Sequence, residues 1–320
     1  MSAEVGCAGL LVEDTFCGPM AALPPEGALS VLVDMPVRAG GCAANVAIAL
    51  AKQSVRVSVA GCVGQDSAAN ALIETFERHG IGTQGISREA LPTSKTVILL
   101  IEGQDRRYLH VIGANHSFSV DHISRDWVAS LGVFYLGGLF GLPGIELKQL
   151  AELLKFCRER KVLTVVDVVT PENVKGMAAL KPLLPFIDVF VPNEDEARAF
   201  TGLTKAHDQV RMLEMAGANT VIITRGGEGT VAVQDGRIWS SGAFQMDVVD
   251  PSGSGDAFTS GVIRSLLEEW RLPQLLRYAS AVGASATRAP GTTDSVFSAS
   301  EAETFLAAHP LTVMEEHRWT

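Results

Sequence analysis

Long hydrophobic runs are missing from this chain of 320 residues; none approaches the roughly 20 apolar residues that span a bilayer as a helix. An excess of positive charge is missing too. Against 26 Lys and Arg stand 36 Asp and Glu, a formal net charge of -10, which repels nucleic acid and anionic membrane surfaces at long range. Neither partner is expected. The five cysteines (Cys7, Cys17, Cys42, Cys62 and Cys157) are odd in number and show no CxxC spacing, which speaks against a structural zinc ribbon and for a reduced, cytoplasmic chain. The seven histidines form no HExxH and no other ligand-spaced cluster along the sequence, so dispersed histidines are expected rather than a metal site. No basic segment followed by a long apolar stretch opens the chain, so no signal peptide is expected.

What the chain does have is alternation. Short apolar runs at Val55–Ala60, Val133–Leu136, Leu163–Asp167, Val189–Val191 and Val221–Thr224 alternate with helix-length segments, the pattern of a parallel sheet covered by helices. Several runs are apolar at nearly every position, as strands buried on both faces require. Leu29–Arg38 and Lys95–Gly113 differ. The second reads as a hairpin, with Thr96–Glu102 and Arg107–Ile112 flanking Gly103-Gln104-Asp105. With no crossover helix inside them, these segments are expected to pair as a small separate sheet, a lid over the main body. No linker or repeat divides the chain, so residues 1–320 are read as one domain, with lid segments at approximately 12–38 and 95–113. After Ser298 a short helix and a loose end are expected.

Two glycine segments carry chemistry. Val248-Val249-Asp250-Pro251-Ser252-Gly253-Ser254-Gly255-Asp256-Ala257-Phe258 runs from a strand through a glycine turn into a helix. Glycines let backbone N–H groups approach an anion, and the helix start adds positive partial charge suited to a phosphate. Asp256 would lie beside that anion as a candidate general base. Taken alone, the same segment also describes a helix capped by Ser252 or Ser254. In Arg38-Ala39-Gly40-Gly41-Cys42-Ala43-Ala44-Asn45, paired glycines open a helix of small residues, and the Asn45 amide could meet substrate hydroxyls; close helix packing explains that stretch equally well.

Together these segments resemble the two signature regions of the PfkB, or ribokinase-like, family of carbohydrate and nucleoside kinases, over nearly the whole chain. The resemblance implies an α/β ribokinase-like fold: a parallel-centred sheet flanked by helices on both faces, with a small β-sheet lid. It implies ATP and Mg²⁺, with Asp256 as general base and Gly253, Ser254 and Gly255 as the anion hole. Gly9-Leu10-Leu11-Val12-Glu13-Asp14 looks like the family's first strand, whose terminal aspartate holds sugar hydroxyls. Asp14, Gly40, Gly41 and Asn45 thereby become substrate candidates, joined by Asn115 in Gly113-Ala114-Asn115.

Asn193-Glu194-Asp195-Glu196 is similar to the family's NxxE motif, so Asn193 and Glu196 inherit the placing of Mg²⁺ and phosphate through water. Thr224, Gly226 and Gly229 match its turn beneath the nucleotide. Asp250, Ser252, Gly291 and Ser295 match residues that hold a monovalent cation, K⁺, in many members, although Pro251 and Ser252 stand where a pair of threonines is more usual and Pro251 has no N–H to offer. Asp167-Val168-Val169-Thr170-Pro171 lacks the arginine that several sugar-kinase branches carry after the aspartate.

A sugar kinase is the reading these residues favour. A nucleoside kinase would want an aromatic base slot near the lid, for which Phe16 or Tyr108 could serve. A silent sugar-binding regulator would be expected to have lost the base or the turn, and a dinucleotide oxidoreductase lacks its GxGxxG loop. Arg38, Arg106 and Arg107 are candidates for an anionic group on the substrate, or for solvent and subunit contacts. A strand lid exposes edges and apolar surface, so a homodimer through the lid is expected.

Overall fold

Strands that are apolar on both faces must be covered on both. The computed structural model describes residues 4–104, 106–171, 174 and 176–316. In chain order its first half contains β1 (Glu4–Gly9), β2 (Val12–Met20), β3 (Val37–Gly40), α1 (Cys42–Lys52), β4 (Val57–Val63), α2 (Ser67–Arg78), β5 (Gly82–Arg88), β6 (Lys95–Ile101) and β7 (Arg107–Val111). Then come α3 (Arg125–Ala129), β8 (Leu131–Leu139), α4 (Leu147–Glu159), β9 (Leu163–Val168), β10 (Val189–Phe190), α5 (Glu194–Thr201), α6 (Ala206–Met215) and β11 (Thr220–Thr224). β12 (Thr230–Gln234), β13 (Arg237–Ser241), α7 (Ser254–Leu267), α8 (Leu272–Ser285), α9 (Ala299–Ala308) and β14 (Val313–Glu316) complete it.

The main sheet runs β14-β13-β12-β11-β10-β9-β8-β1-β4-β5. From β11 to β5 every pairing is parallel, while β12, β13 and β14 are added antiparallel. Because side chains alternate along a strand, neighbouring residues feed opposite cores. Val5, Val133 and Tyr135 pack with α1, α2, α7 and α8; Ala8, Phe134 and Leu136 pack with α3, α4, α5 and α6. Full burial of a valine, leucine or phenylalanine side chain in these cores contributes about 1.5–3 kcal/mol.

The lid is a separate sheet, β3-β2-β6-β7. β2 pairs antiparallel with β3 and parallel with β6, and β6 and β7 form the expected hairpin, in whose turn Asp105 lies outside the described residues.

Three expectations change. Leu29–Pro36 is not a strand: Leu29, Val31 and Val33 are almost fully exposed, and pairing with β2 begins only at Val37. Asp14 does not end the first strand, which stops at Gly9; it is the third residue of β2, within the lid segment expected at 12–38. The segment after the last helix is not loose as far as Glu316, because Val313–Glu316 pairs antiparallel with β13; residues 317–320 lie outside the described residues. That strand has only four residues, too few to show a period in the sequence.

Candidate active site

The carboxyl ends of the parallel strands, the lid strand β2 and the starts of α1 and α7 converge on one acidic centre, the place where open α/β sheets bind ligands. Gly41 opens α1, and Asn45 sits in its first turns, almost fully buried. Its Nδ2 donates to Asp256 Oδ2 at 2.7 Å, while its Oδ1 accepts from Thr292 Oγ1 at 2.7 Å. The amide is fixed at both ends and aims Asp256 from across the molecule. Burial pushes Asp256 up to about 6, against hydrogen bonds from Asn45 and the Cys42 thiol that pull it down.

Two further carboxylates face the centre. Asp14 lies over Gly40 so closely that a Cβ there would fall 1.8 Å from Asp14 Oδ2; only glycine leaves room. Burial pushes Asp14 up to about 7, opposed by a hydrogen bond with Thr96 and reinforced by the charge of Asp256. Asp167, at the end of β9, accepts from the Tyr135 hydroxyl and, at 2.5 Å, from the Gly138 N–H. Burial, then Asp256, hold it well above the ordinary carboxylate range.

Asp256 stands in the first turn of α7, which begins at a left-handed Gly253 (φ 74°). A Cβ on Gly253 would meet the Thr292 carbonyl at 2.3 Å, whereas one on Gly255 would meet nothing within 4 Å. The turn is pressed against one side and open on the other. N–H groups of a first helical turn have no acceptor within the helix. Of the expected anion hole, the Ser254 N–H also leans back on the Pro251 carbonyl at 3.3 Å.

Gly255 leads into a cavity of 320 Å³ lined by Thr224, Gly226, Gly229, Phe244, Val248 and Ala284, among others. Its walls are mainly apolar side chains and backbone, suited to a flat heterocycle with a phosphate chain turned towards Gly255. Asn193 and Glu196 form a capping box at the start of α5, with Asn193 N–H to Glu196 Oε2 at 2.8 Å and Glu196 N–H to Asn193 Oδ1 at 2.9 Å, and Asn193 bridges to Thr224. Burial pushes Glu196 up to about 7, and the charge of Asp256 adds to it. A carboxylate so raised is one that a nearby divalent cation would relieve.

On the far side of the turn, Asp250 is fully buried and accepts from the N–H groups of Ser252 (2.9 Å) and Gly291 (3.2 Å). Among the described residues the buried Ser252 Oγ has no hydrogen-bond partner. The Ser295 hydroxyl donates to the Ser285 or Ala286 carbonyl, at 2.8 or 3.0 Å.

Some expected contacts fall elsewhere. Asn115 is wholly buried, and its amide bonds both ways to the Leu11 backbone, at 3.2 and 3.0 Å, anchoring the entry to β2. Phe16 is buried and offers no open face, whereas Tyr108 is half-exposed on β7. Arg38 pairs with Asp294 at 2.9 Å and Arg107 donates to Gln104 at 2.9 Å. Thr292, Tyr135 and the Cys42 thiol join the site unforeseen; only Asp167, a lone acid ending an apolar strand, left a signal in the sequence.

The fold is that of ribokinases: the *Arabidopsis thaliana* ribokinase complexed with ribose and ATP superposes with a TM-score of 0.81 at 22% identity over 96% of this chain and 99% of that one. Ribokinase from *Thermotoga maritima* gives 0.81 at 21% identity, over 95% and 99%. The chain belongs to the pfkB family of carbohydrate kinases, whose profile matches residues 21–299. Among curated relatives, ribokinase of *Haemophilus influenzae* is 27% identical over 275 residues, 83% of this chain and 87% of that protein. Adenosine kinase of *Schizophyllum commune* is 28% identical over 254 residues, 72% and 73% of the two chains.

Proposed function

We propose that this kinase transfers the γ-phosphoryl group of ATP to a hydroxyl of a small neutral sugar, with Asp256 as the base. One observation carries the reading: a buried carboxylate, aimed by Asn45 at 2.7 Å, beside a helix-opening glycine turn whose outer side is empty. The acceptor hydroxyl gives its proton to Asp256 as its oxygen bonds to the γ-phosphorus. The bond from that phosphorus to the bridging oxygen of ADP breaks, and N–H groups of the Gly253–Gly255 turn stabilise the charge on the transferred group. Asp256 then returns the proton to solvent.

Asp14, Gly40, Gly41 and Asn45 hold the acceptor. Burial raises Asp14, Asp167 and Asp256, and Asp256 adds to the rise of the other two; three acids around one centre would repel an anion, so a neutral, hydroxyl-rich acceptor fits better than an anionic one. Thr224, Gly226 and Gly229 lie under the nucleotide. Asn193 and Glu196 would hold Mg²⁺ through water, and the ion would neutralise phosphate charge during transfer. The lone carboxylate of Asp250 and the unpartnered Ser252 hydroxyl, with Gly291 and Ser295 around them, support a K⁺ site. Half-exposed Leu109 and Val111 on the lid's edge strand, with the exposed Leu29–Val33 stretch, support a homodimer. Light scattering that gives a monomer mass would remove the dimer; turnover indifferent to K⁺ would remove the cation.

The test is ADP release from ATP and Mg²⁺ across neutral sugars, acidic sugars and nucleosides, with Asp256→Asn as control. Turnover of a neutral sugar, lost in the control, supports the reading. Turnover of nucleosides alone would replace the acceptor, in line with the adenosine kinase similarity, and sugar binding without turnover would overturn the assignment.

A further inference from the structure

Far from the acidic centre in sequence, three metal-ligating side chains of different kinds meet at the parallel edge of the main sheet. Cys62 lies in β4, Glu89 continues β5, and His122 ends a short 3₁₀ turn, Val120–His122. Glu89 Oε1 is 3.9 Å from Cys62 Sγ and 3.4 Å from His122 Nε2, and the three ligand atoms all lie within 4.8 Å of one another. We propose that Cys62, Glu89 and His122 form a zinc site that fastens the β4–β5 edge to the segment returning from the lid.

The spacing fits the metal. With Zn–S roughly 2.3 Å and Zn–N or Zn–O roughly 2.0–2.2 Å, neighbouring ligands of a tetrahedral ion stand about 3.3–3.6 Å apart. The observed separations require movements of well under an ångström along the edges that are measured. Thiolate, imidazole and carboxylate together are a donor set that Zn²⁺ takes and that Mg²⁺ or Ca²⁺ does not. Three protein ligands leave the fourth position to water.

The frame is rigid. Cys62 and Glu89 sit on adjacent ladder strands, joined by the Glu89 N–H to Val63 carbonyl bond at 2.8 Å. Cys62 packs in one core cluster with Phe118, Val120 and Ile123, which bracket His122. His122 Nδ1 accepts from the Ser119 N–H at 3.2 Å and lies 3.0 Å from the Ser119 hydroxyl. Zinc on Nε2 requires the tautomer with the proton on Nδ1, so binding would give up the bond from the Ser119 N–H and turn Nδ1 into a donor to the Ser119 hydroxyl, the outer contact that orients a ligating imidazole. Glu89 and His122 are partly exposed, which leaves a way in for the ion, and the Cys62 proton leaves to solvent as the thiolate binds. Separations of 27 and 33 residues along the chain conceal this cluster from any ligand-spacing motif.

The test uses the full chain stripped of metal by a chelator, then Zn²⁺ alone, with affinity read by competition against a chromogenic chelator. One equivalent should bind and raise the thermal unfolding midpoint. Co²⁺ in its place should give a thiolate-to-metal charge-transfer band, absent in Cys62→Ser and present in Cys42→Ser. Ser119→Ala, which keeps all three ligands, should weaken binding by about 10–100-fold. Three results would overturn the proposal: no uptake by a folded wild type, uptake unchanged by Cys62→Ser and His122→Gln, or a charge-transfer band lost only in Cys42→Ser. The last would put the ion at the Cys42, Asp167 and Asp256 cluster, whose ligand atoms also lie within 4.8 Å. Circular dichroism of each metal-free variant separates lost ligation from lost folding.

Discussion

The two halves of the proposed active site, one read as the acceptor half and one as the nucleotide half, are built on different principles. The acceptor half is a chain of named side chains, Thr292 to Asn45 to Asp256, flanked by Asp14 and Asp167, each held by a hydrogen bond or a steric limit. The nucleotide half is a shape: glycines, backbone and the apolar walls of Phe244, Val248 and Ala284 around 320 Å³. A side-chain network fails when one group is removed, whereas a shape fails when something is added.

The sharpest way to break that contrast is Asp256→Asn. It should lower kcat by about 10²–10⁴ while leaving nucleotide affinity near the wild-type value, as read by steady-state kinetics and ATP titration. Equal loss of both would mean that the halves are not separable. Asn45→Ala removes a bond to a charged group, about 1.5–3 kcal/mol, and should cost about 10–100-fold in kcat/KM for the acceptor.

The pH profile sharpens the same point. A base must be ionised, so kcat/KM should fall about tenfold per unit as pH drops below about 6, where Asp256 takes up its proton. Because the Asn45 bond pulls Asp256 down, Asn45→Ala should move that acid limb upward. An unmoved limb would assign it to another group. Ala284→Leu, which adds bulk to the nucleotide wall, should raise KM for ATP by about tenfold, or about 1.4 kcal/mol, with acceptor KM unchanged. The smallest effect belongs outside both halves. Asn115→Ala should cost about 1–3 kcal/mol of stability in urea unfolding, by stranding the Leu11 backbone groups, and little in acceptor affinity.

The same contrast explains what the sequence discloses. Gly253, Gly255 and Asp256 are legible because one short segment carries turn, helix start and acid together. The alternation of buried strands with helices is legible because both sheet faces are covered. The anchoring role of Asn115 is hidden, because its amide meets a backbone 104 residues away. Leu29–Pro36 misleads because apolar, β-prone residues say nothing of whether a partner strand lies alongside. Thr292 is silent, since it meets Asp256 only by way of the Asn45 amide, and the wall around Ala243–Val248 has no period that could announce contacts made in space.

One feature of the lid bears on the order in which the molecule assembles. β6 and β7 are joined by a tight turn, but β2 reaches its parallel partner β6 only after β4, α2 and β5 have been placed between them. Pairing so distant along the chain pays its loop-closure entropy before any contact rewards it. The hairpin is therefore expected to form early and β2 to join late, carrying Asp14 with it. By the same reasoning, amides of β2 should exchange with heavy water sooner than those of β1 or β8, and competence to hold an acceptor should be the last property gained in refolding.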